Sequence, residues 1–278
     1  MLARANSVDG GDILQVSNLS VIRSGTEVIS DIDFSIKPGE FVGIVGPNGG
    51  GKTTLILTIL GILRQQTGTI NIYDNQHDES FTKTQIGWVP QAATNLPNNL
   101  RITVKEFIRL GSLNLWTCLL PMSKGNKARV DEIIDTIGLT NYANTRLSSL
   151  SGGQRQRAAI GKALASNANL LLMDEPMVGV DIESRNSLMS LLRKLCDQQN
   201  KTIVMISHDL ASIKKTVHRM VYLEKQVLFD GSTKDFPELS ILADLSSSKQ
   251  PSGESEELSN NQEFVNGDIT QSSDSGDV

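Results

Sequence analysis

Short apolar runs recur along the chain, each broken by glycine, proline or charge, and their lengths separate strands from helices. Phe41 to Val45 is compact and rich in branched side chains, which predicts a buried strand. Leu170-Leu171-Leu172-Met173 predicts a second, Thr202 to Ser207 a third, and Ile86 to Gln91 a fourth that Pro90 closes. Helical spacing takes over elsewhere. From Thr54 onward, Leu55, Ile56, Leu57, Ile59 and Leu60 read as a helix ending near Gly61. Thr103-Val104-Lys105-Glu106 fits a capping box, with Val104, Phe107 and Ile108 along one face and Leu110 at its margin. Asn126 is placed to cap a further helix, in which Val130, Ile133, Ile134 and Ile137 recur before Gly138. Strands alternating with helices predict an α/β fold, with the segment of about 92–150 as an inserted helical subdomain.

Between the first strand and its helix the chain reads Gly46-Pro47-Asn48-Gly49-Gly50-Gly51-Lys52-Thr53, followed by Thr54. This fits the G-x-x-x-x-G-K-S/T pattern in the strand–turn–helix context the pattern requires. Its glycines let successive N–H groups turn inward as an anion nest, and the helix N-terminus adds a positive dipole. Lys52 would reach the β- and γ-phosphates of a nucleotide and the Thr53 hydroxyl would bind Mg²⁺. Asp174 ends the Leu170–Met173 run, where it can hold the Mg²⁺ shell, and Glu175 beside it can polarise an attacking water. His208 follows the Thr202–Ser207 strand and Gln91 the Ile86 strand. Taken singly, His208 reads as structural and Gln91 as a loop amide. In open α/β sheets, however, ligands bind beyond the carboxyl ends of strands, and both residues fall there.

A second glycine-rich turn, Leu150-Ser151-Gly152-Gly153-Gln154, cannot serve the same nucleotide. A chain with one phosphate loop and one such turn holds half of two composite sites. Two copies facing head to tail would complete both.

With these motifs in this order, the chain resembles the ATPase subunit of an ABC transporter over residues 12–235. Leu150 to Gln154 is that family's most specific signature. The resemblance implies a phosphate-loop core with a mainly parallel sheet, an antiparallel β region near the N-terminus and the helical insert. It implies that Ser151, Gly152, Gly153 and Gln154 face the partner copy's nucleotide, and that Asp181, in the Gly179-Val180-Asp181 turn, lies at the dimer interface. ATP and Mg²⁺ are then the cofactors, with Thr53, Gln91 and Asp174 around the metal. Glu175, His208, Gln91 and Lys52 carry hydrolysis. Integral membrane permease subunits would be partners, with a solute-binding protein acting indirectly, and the helical insert would receive the permease. Where the family stacks an aromatic residue on adenine this chain has Arg23, which either stacks as a cation–π partner or is solvated in a hairpin turn. The triple glycine Gly49-Gly50-Gly51 and the Gly179-Val180-Asp181 turn resemble those of metal importers, so the expected cargo is zinc, then manganese or iron, ahead of another solute. A repair ATPase of this superfamily would carry long heptads between its phosphate loop and its signature, which are absent here, and a translation factor would carry two such domains.

Composition adjusts this picture at the edges. No run reaches the ~18 apolar residues of a membrane-spanning helix, and Met1 to Asp12 lacks the apolar core of a signal peptide. The expectation is a peripheral subunit on the cytoplasmic face of the membrane, with residues 1–11 as an extension. Residues 246–278 hold seven acidic residues and one basic, Lys249; this tail carries −6 against a whole-chain formal charge of −5, so the remainder is +1. A near-neutral body weighs against nucleic acid as a partner. Ser-rich and poor in large apolar groups, the end of the 236–278 segment is expected to be disordered. Trp116, Leu119, Leu120 and Met122 form either core or an exposed partner patch, and His77-Asp78-Glu79 reads as a solvated turn. Cys118 and Cys196 read as small buried hydrophobes, and His218, among Lys214, Lys215 and Arg219, as a surface position on a helix.

Overall fold

The computed structural model describes residues 11–73, 75–76, 86–94, 101–113, 124–238 and 241–242. One sheet is antiparallel, built from β1 (Leu14–Arg23), β2 (Thr26–Ile36), β4 (Thr67–Ile72) and β5 (Asn75–Gln76) in the order β2-β1-β4-β5. The other joins β3 (Phe41–Val45), β6 (Ile86–Val89), β7 (Leu170–Asp174), β8 (Thr202–Ile206), β9 (Arg219–Glu224) and β10 (Gln226–Ser232). Its order is β10-β9-β3-β8-β7-β6, and only the β9–β10 pairing is antiparallel.

The runs of β3 (Phe41–Val45) and of β7 up to Met173 are unbroken by polar residues because both faces of these central strands are covered. Val42, Ile44, Leu170, Leu172, Val204 and Ile206 share a core with the antiparallel sheet and with α1 (Lys52–Ile59). Phe41, Val45, Leu171, Met173, Ile203 and Met205 join the opposite core, with α4 (Gly152–Ala165) and α5 (Ile182–Gln199). Each such side chain contributes about 1.5–3 kcal/mol on burial. The central strands are thereby fixed in register, and their carboxyl ends become a firm base for a site.

α2 (Val104–Leu110) and α3 (Lys124–Thr136) build the helical insert and join the α4 core through Val104, Phe107, Ile108, Val130, Ile134 and Ile137. The Thr103–Glu106 capping box forms in full, and Leu110 is exposed. β6 stops at Val89, short of the expected Gln91. Pro90 offers no N–H to the ladder, and Gln91 opens a 3₁₀ turn, Gln91–Thr94. α1 starts at Lys52, two residues before Thr54, because Gly51 already sits in the left-handed conformation that begins the helix.

Two expectations are corrected. Asn126 lies inside α3 rather than capping it, since the helix runs from Lys124. His218 is not a surface residue of a helix. The helix there, α6 (Leu210–Lys214), ends earlier, and His218 is half-buried at the mouth of β9. Its backbone N–H donates to Phe41 O at 2.8 Å, and its Nδ1 accepts from Phe41 N at 2.9 Å. Cys196 is buried on α5, its thiol pushed up to about 12 by burial. The Trp116–Met122 group, Cys118, His77-Asp78-Glu79 and the acidic tail lie outside the described residues. Among the described residues no helix is long and apolar enough to cross a membrane.

Candidate functional site

β3 runs directly into the loop that turns over the carboxyl end of the sheet. At its close Gly51 has φ 93° and no side chain caps α1, so the first-turn amides of that helix have no side-chain acceptor. A Cβ on Gly51 would lie 2.2 Å from Ile29 Cγ2, which keeps the loop pressed against β2 only as glycine. Lys52 is 6% exposed. Its Nζ curls back over the loop and donates to Gly46 O at 2.9 Å and Pro47 O at 2.7 Å. Burial pulls its pKa below the ordinary lysine value, against the opposing pull of Glu175 and Asp174.

Asp174 ends β7 at 3% exposed, and the Thr53 hydroxyl donates to its Oδ1 at 3.5 Å. Burial raises its pKa and the neighbouring Glu175 raises it further, opposed by the Thr53 hydrogen bond and by Lys52. Glu175 follows in the left-handed region at φ 46°, and its N–H continues the β7–β8 ladder by donating to Ile206 O at 3.1 Å. That turn carries the carboxylate out beyond the sheet. There Oε2 lies 3.2 Å from His208 Nδ1 and 3.5 Å from Gln91 Nε2. His208 is itself open to solvent, so Glu175 is approached from the outside by an exchangeable N–H donor.

A cleft of 570 Å³ gathers these groups: Arg23 and Val28 from the β1–β2 hairpin, Asn48, Gly49 and Gly51 to Thr54 from the loop, and Gln91, Glu175 and His208. Asp174 sits beneath it, while Gly46, Pro47 and Gly50 do not line it. Val28 escaped the sequence reading; it enters because β2 turns back antiparallel along β1.

The Leu150–Gln154 turn is elsewhere; no residue of it lines the cleft. Ser151 caps α4, its Oγ accepting from Gln154 N at 3.2 Å while Gln154 Oε1 accepts from Ser151 N at 3.0 Å. Gln154 is thus engaged in holding the turn. Asp181 caps α5, accepting from Ser184 N at 2.9 Å, and that bond holds its carboxyl below the usual range. The two turns adjoin: a Cβ on Gly152 would meet Gly179 O at 3.1 Å, and one on Gly153 would meet Ser184 Cβ at 2.7 Å. Arg185, also missed from the sequence, ties this region to the cleft. Its Nη1 donates to Asp209 Oδ2 at 2.7 Å and its Nη2 to Val180 O at 3.4 Å, with Asp209 the neighbour of His208.

These residues fit a nucleotide with Mg²⁺. Thr53 and Asp174 are hard oxygen donors of the kind Mg²⁺ takes. Among the described residues no three His, Cys, Asp or Glu groups form a metal cage. A cation here would complete its shell with phosphate oxygens and water, which is how Mg²⁺ is usually held.

The family profile described as ABC transporter matches residues 29–178. The zinc uptake system ATP-binding protein ZurA of Listeria innocua is 32% identical over 238 residues, covering 84% of this chain and 93% of its own. The manganese transport system ATP-binding protein MntB of Halalkalibacterium halodurans is 35% identical over 80% of this chain and 87% of its own. Among solved structures, cbiO1 from Clostridium perfringens, part of the ABC transporter complex cbiONQ, superposes with a TM-score of 0.74 at 26% identity, covering 85% of this chain and 95% of that one. A dimeric ATP-binding cassette bound to ADP and Pi in a post-hydrolysis state gives 0.66 at 28% identity, covering 80% of this chain and 100% of that one. Phosphate loop, signature turn, fold and relatives agree: the chain belongs to the ABC transporter family, as an ATP-binding ATPase subunit.

Proposed function

We propose that this subunit, as a head-to-tail homodimer on the cytoplasmic face of the membrane, energises import of a transition-metal ion through integral permease subunits. Zinc is the first choice, with manganese or iron next. The observation that carries the ATPase reading is the convergence of Lys52, Gln91, Glu175 and His208 on one cleft. The cargo assignment draws on the relatives named for zinc and manganese transport. Residues 12–235 form the nucleotide-binding domain in this reading, with the helical subdomain of about 92–150 receiving the permease and a separate binding protein delivering the ion.

Each residue then has a task. The amides of the loop and of α1 hold phosphate oxygens, and Arg23 stacks on the base. Lys52 is released from the Gly46 and Pro47 carbonyls to neutralise charge on the transferring phosphoryl group. Thr53 and Asp174, with Gln91, would hold Mg²⁺, which would supply further charge neutralisation there. Glu175 accepts the proton of the attacking water, and its position is set by the His208 and Gln91 contacts. Ser151 and Gly153 of the partner copy close the site over the γ-phosphate, with Asp181 at the seam. Loss of that phosphate lets the dimer open, and the helical insert passes the motion on.

The test replaces wild type with Lys52→Ala in cells and measures zinc, manganese and iron under limitation. The expected result is a fall in zinc, with growth rescued by added zinc. Unaltered content of all three metals, alongside lost uptake of a sugar, amino acid or peptide, overturns the cargo. Unaltered uptake of every solute overturns the coupling to ATP.

A further inference from the structure

Away from the cleft, a groove of 530 Å³ runs between α5 and α6, lined among others by Met189, Arg193, Lys194, Lys215 and Thr216. Arg193 is built into its wall. The guanidinium donates from Nε to Asp197 at 2.9 Å and from Nη1 to Thr216 O at 2.9 Å, tying the helix to the turn after α6. Asp197 is thereby occupied, and it also lies 3.7 Å from His218 Nε2. Lys194 and Lys215 are exposed and make no ion pair with a carboxylate of the described residues. The groove is therefore net cationic with an apolar floor at Met189.

The described chain ends on the same flank. Phe236 packs edge-on against Phe229 with ring centroids 5.2 Å apart, and Lys214 Nζ lies 5.8 Å over the Phe236 ring. Leu242 is fully buried in the core cluster that includes Ile213 and Val217 of the α6 region. The described chain thus passes the end of α6 at Phe236. The acidic cluster Glu254, Glu256 and Glu257, followed by Leu258, comes 18 residues after Phe236. Eighteen extended residues reach about 60 Å, whereas α5, at 18 residues, is about 27 Å long, so the whole groove is within range.

We infer that the acidic C-terminal segment docks in its own chain's α5–α6 groove, with Glu254, Glu256 and Glu257 against Lys194, Lys215 and the rim of Arg193. The N-termini of the two helices are capped by Asp181 and Asp209, so an occupied groove clasps together the helix that starts at the Asp181 turn and the one that starts beside His208. Tethering favours the intramolecular contact, since short linkers give effective concentrations on the order of millimolar. Charge pairs at an exposed groove are screened, so the contact weakens with salt.

The experiment is limited digestion of the full-length protein by a glutamate-specific protease, following cleavage at Glu254–Glu257 by mass spectrometry at low and high salt. Wild type is expected to be cleaved about tenfold more slowly at low salt than at high, the scale of three exposed ion pairs. The double variant Lys194→Glu/Lys215→Glu should be cleaved quickly at both. Adding Glu256→Lys/Glu257→Lys to that variant should restore slow cleavage at the remaining Glu254. Equal rates for wild type and the double variant overturn the inference. So does protection that vanishes on dilution, which assigns the groove to the tail of a second copy. Both lysines are exposed, so unchanged Tm in the double variant is the expected control on folding.

Discussion

The Lys52 loop and the Ser151 turn are both glycine-rich helix starts, yet they treat their amides in opposite ways. At Ser151 the serine hydroxyl and the Gln154 side chain form a capping box that closes the helix start with its own side chains. At Gly51 no side chain caps the helix, and the loop is held instead by Ile29 behind it and by Lys52 folded across it. A helix start left uncapped over a buried lysine is organised for an anion that arrives from outside. One capped by its own side chains presents a finished surface. In the proposed head-to-tail dimer, that difference makes the first turn the receptor for phosphate and the second the lid over the partner copy's.

The largest effect that sharpens this contrast lies with Glu175→Gln. The amide keeps the shape but accepts no proton, so steady-state ATPase activity is expected to fall ~10²–10⁴-fold. ATP binding should persist and leave a dimer locked on nucleotide, visible by gel filtration. Turnover near wild type would remove Glu175 from the role of base.

Ser151→Arg addresses the other turn. Placing a bulky cation where the lid meets the opposing phosphate should cost hydrolysis ~10²–10³-fold, the scale for losing a donor to transferring charge. The variant's own Lys52 loop is intact, so ATP binding by the isolated subunit should be kept. Mixed with Lys52→Ala chains, it forms heterodimers in which one site carries both defects and the other neither. Recovery of activity in the mixture is expected; full activity in Ser151→Arg homodimers would break the comparison outright.

Two alanine substitutions compare the turns through stability. Gly51→Ala combines φ 93° with a Cβ 2.2 Å from Ile29, whereas Gly179→Ala, beside the signature, combines φ 73° with open space. Left-handed strain alone costs about 1–2 kcal/mol. Gly51→Ala should exceed that, because β2 backs the loop and Ile29 has to give. Thermal denaturation should therefore show the larger drop in Tm for Gly51→Ala, and equal drops would mean the loop relaxes away from Ile29.

How much of this was legible in sequence depends on how far apart the cooperating residues lie. β3, β7 and β8 were legible because strands buried on both faces must be apolar at every position. The Lys52 loop, Asp174 and Glu175 were legible because each adjoins such a run. The capping box at Thr103 needs only a local spacing, and it formed. Asn126 misled because a cap-forming side chain marks helix starts only when the chain before it is non-helical, and here the helix begins at Lys124. Arg185–Asp209 is a contact between α5 and the N-cap of α6 that local pattern cannot see. His218 shows the limit most clearly. Its neighbours in sequence are cationic and suggest a solvated face, while its partner, Phe41, is 177 positions away.

That same histidine yields the smallest expected effect, and one that falls on the Lys52 side of the comparison alone. Nδ1 of His218 accepts the Phe41 amide at the start of the strand that feeds the loop, so the acceptor nitrogen must be unprotonated. Burial is the main cause holding its pKa below the ordinary histidine value; Arg193 adds to the shift, while Asp197 and Glu40 oppose it. With the folded pKa depressed, the unfolded chain binds the extra proton first as pH falls. The stabilisation is therefore fully present above about pH 6.5 and is lost as pH drops through the lower folded value. Loss of one hydrogen bond is worth about 0.5–1.5 kcal/mol, or a few degrees in Tm for a domain of this size. His218→Asn, whose side-chain oxygen can accept the same amide without titrating, should flatten that part of the profile between pH 7 and 5. Amide exchange gives the location: acidification should speed exchange at Phe41 in wild type but not in the variant, and leave the Ser151 turn unchanged in both. Faster exchange at the Ser151 turn instead would show that the two regions are not independently held.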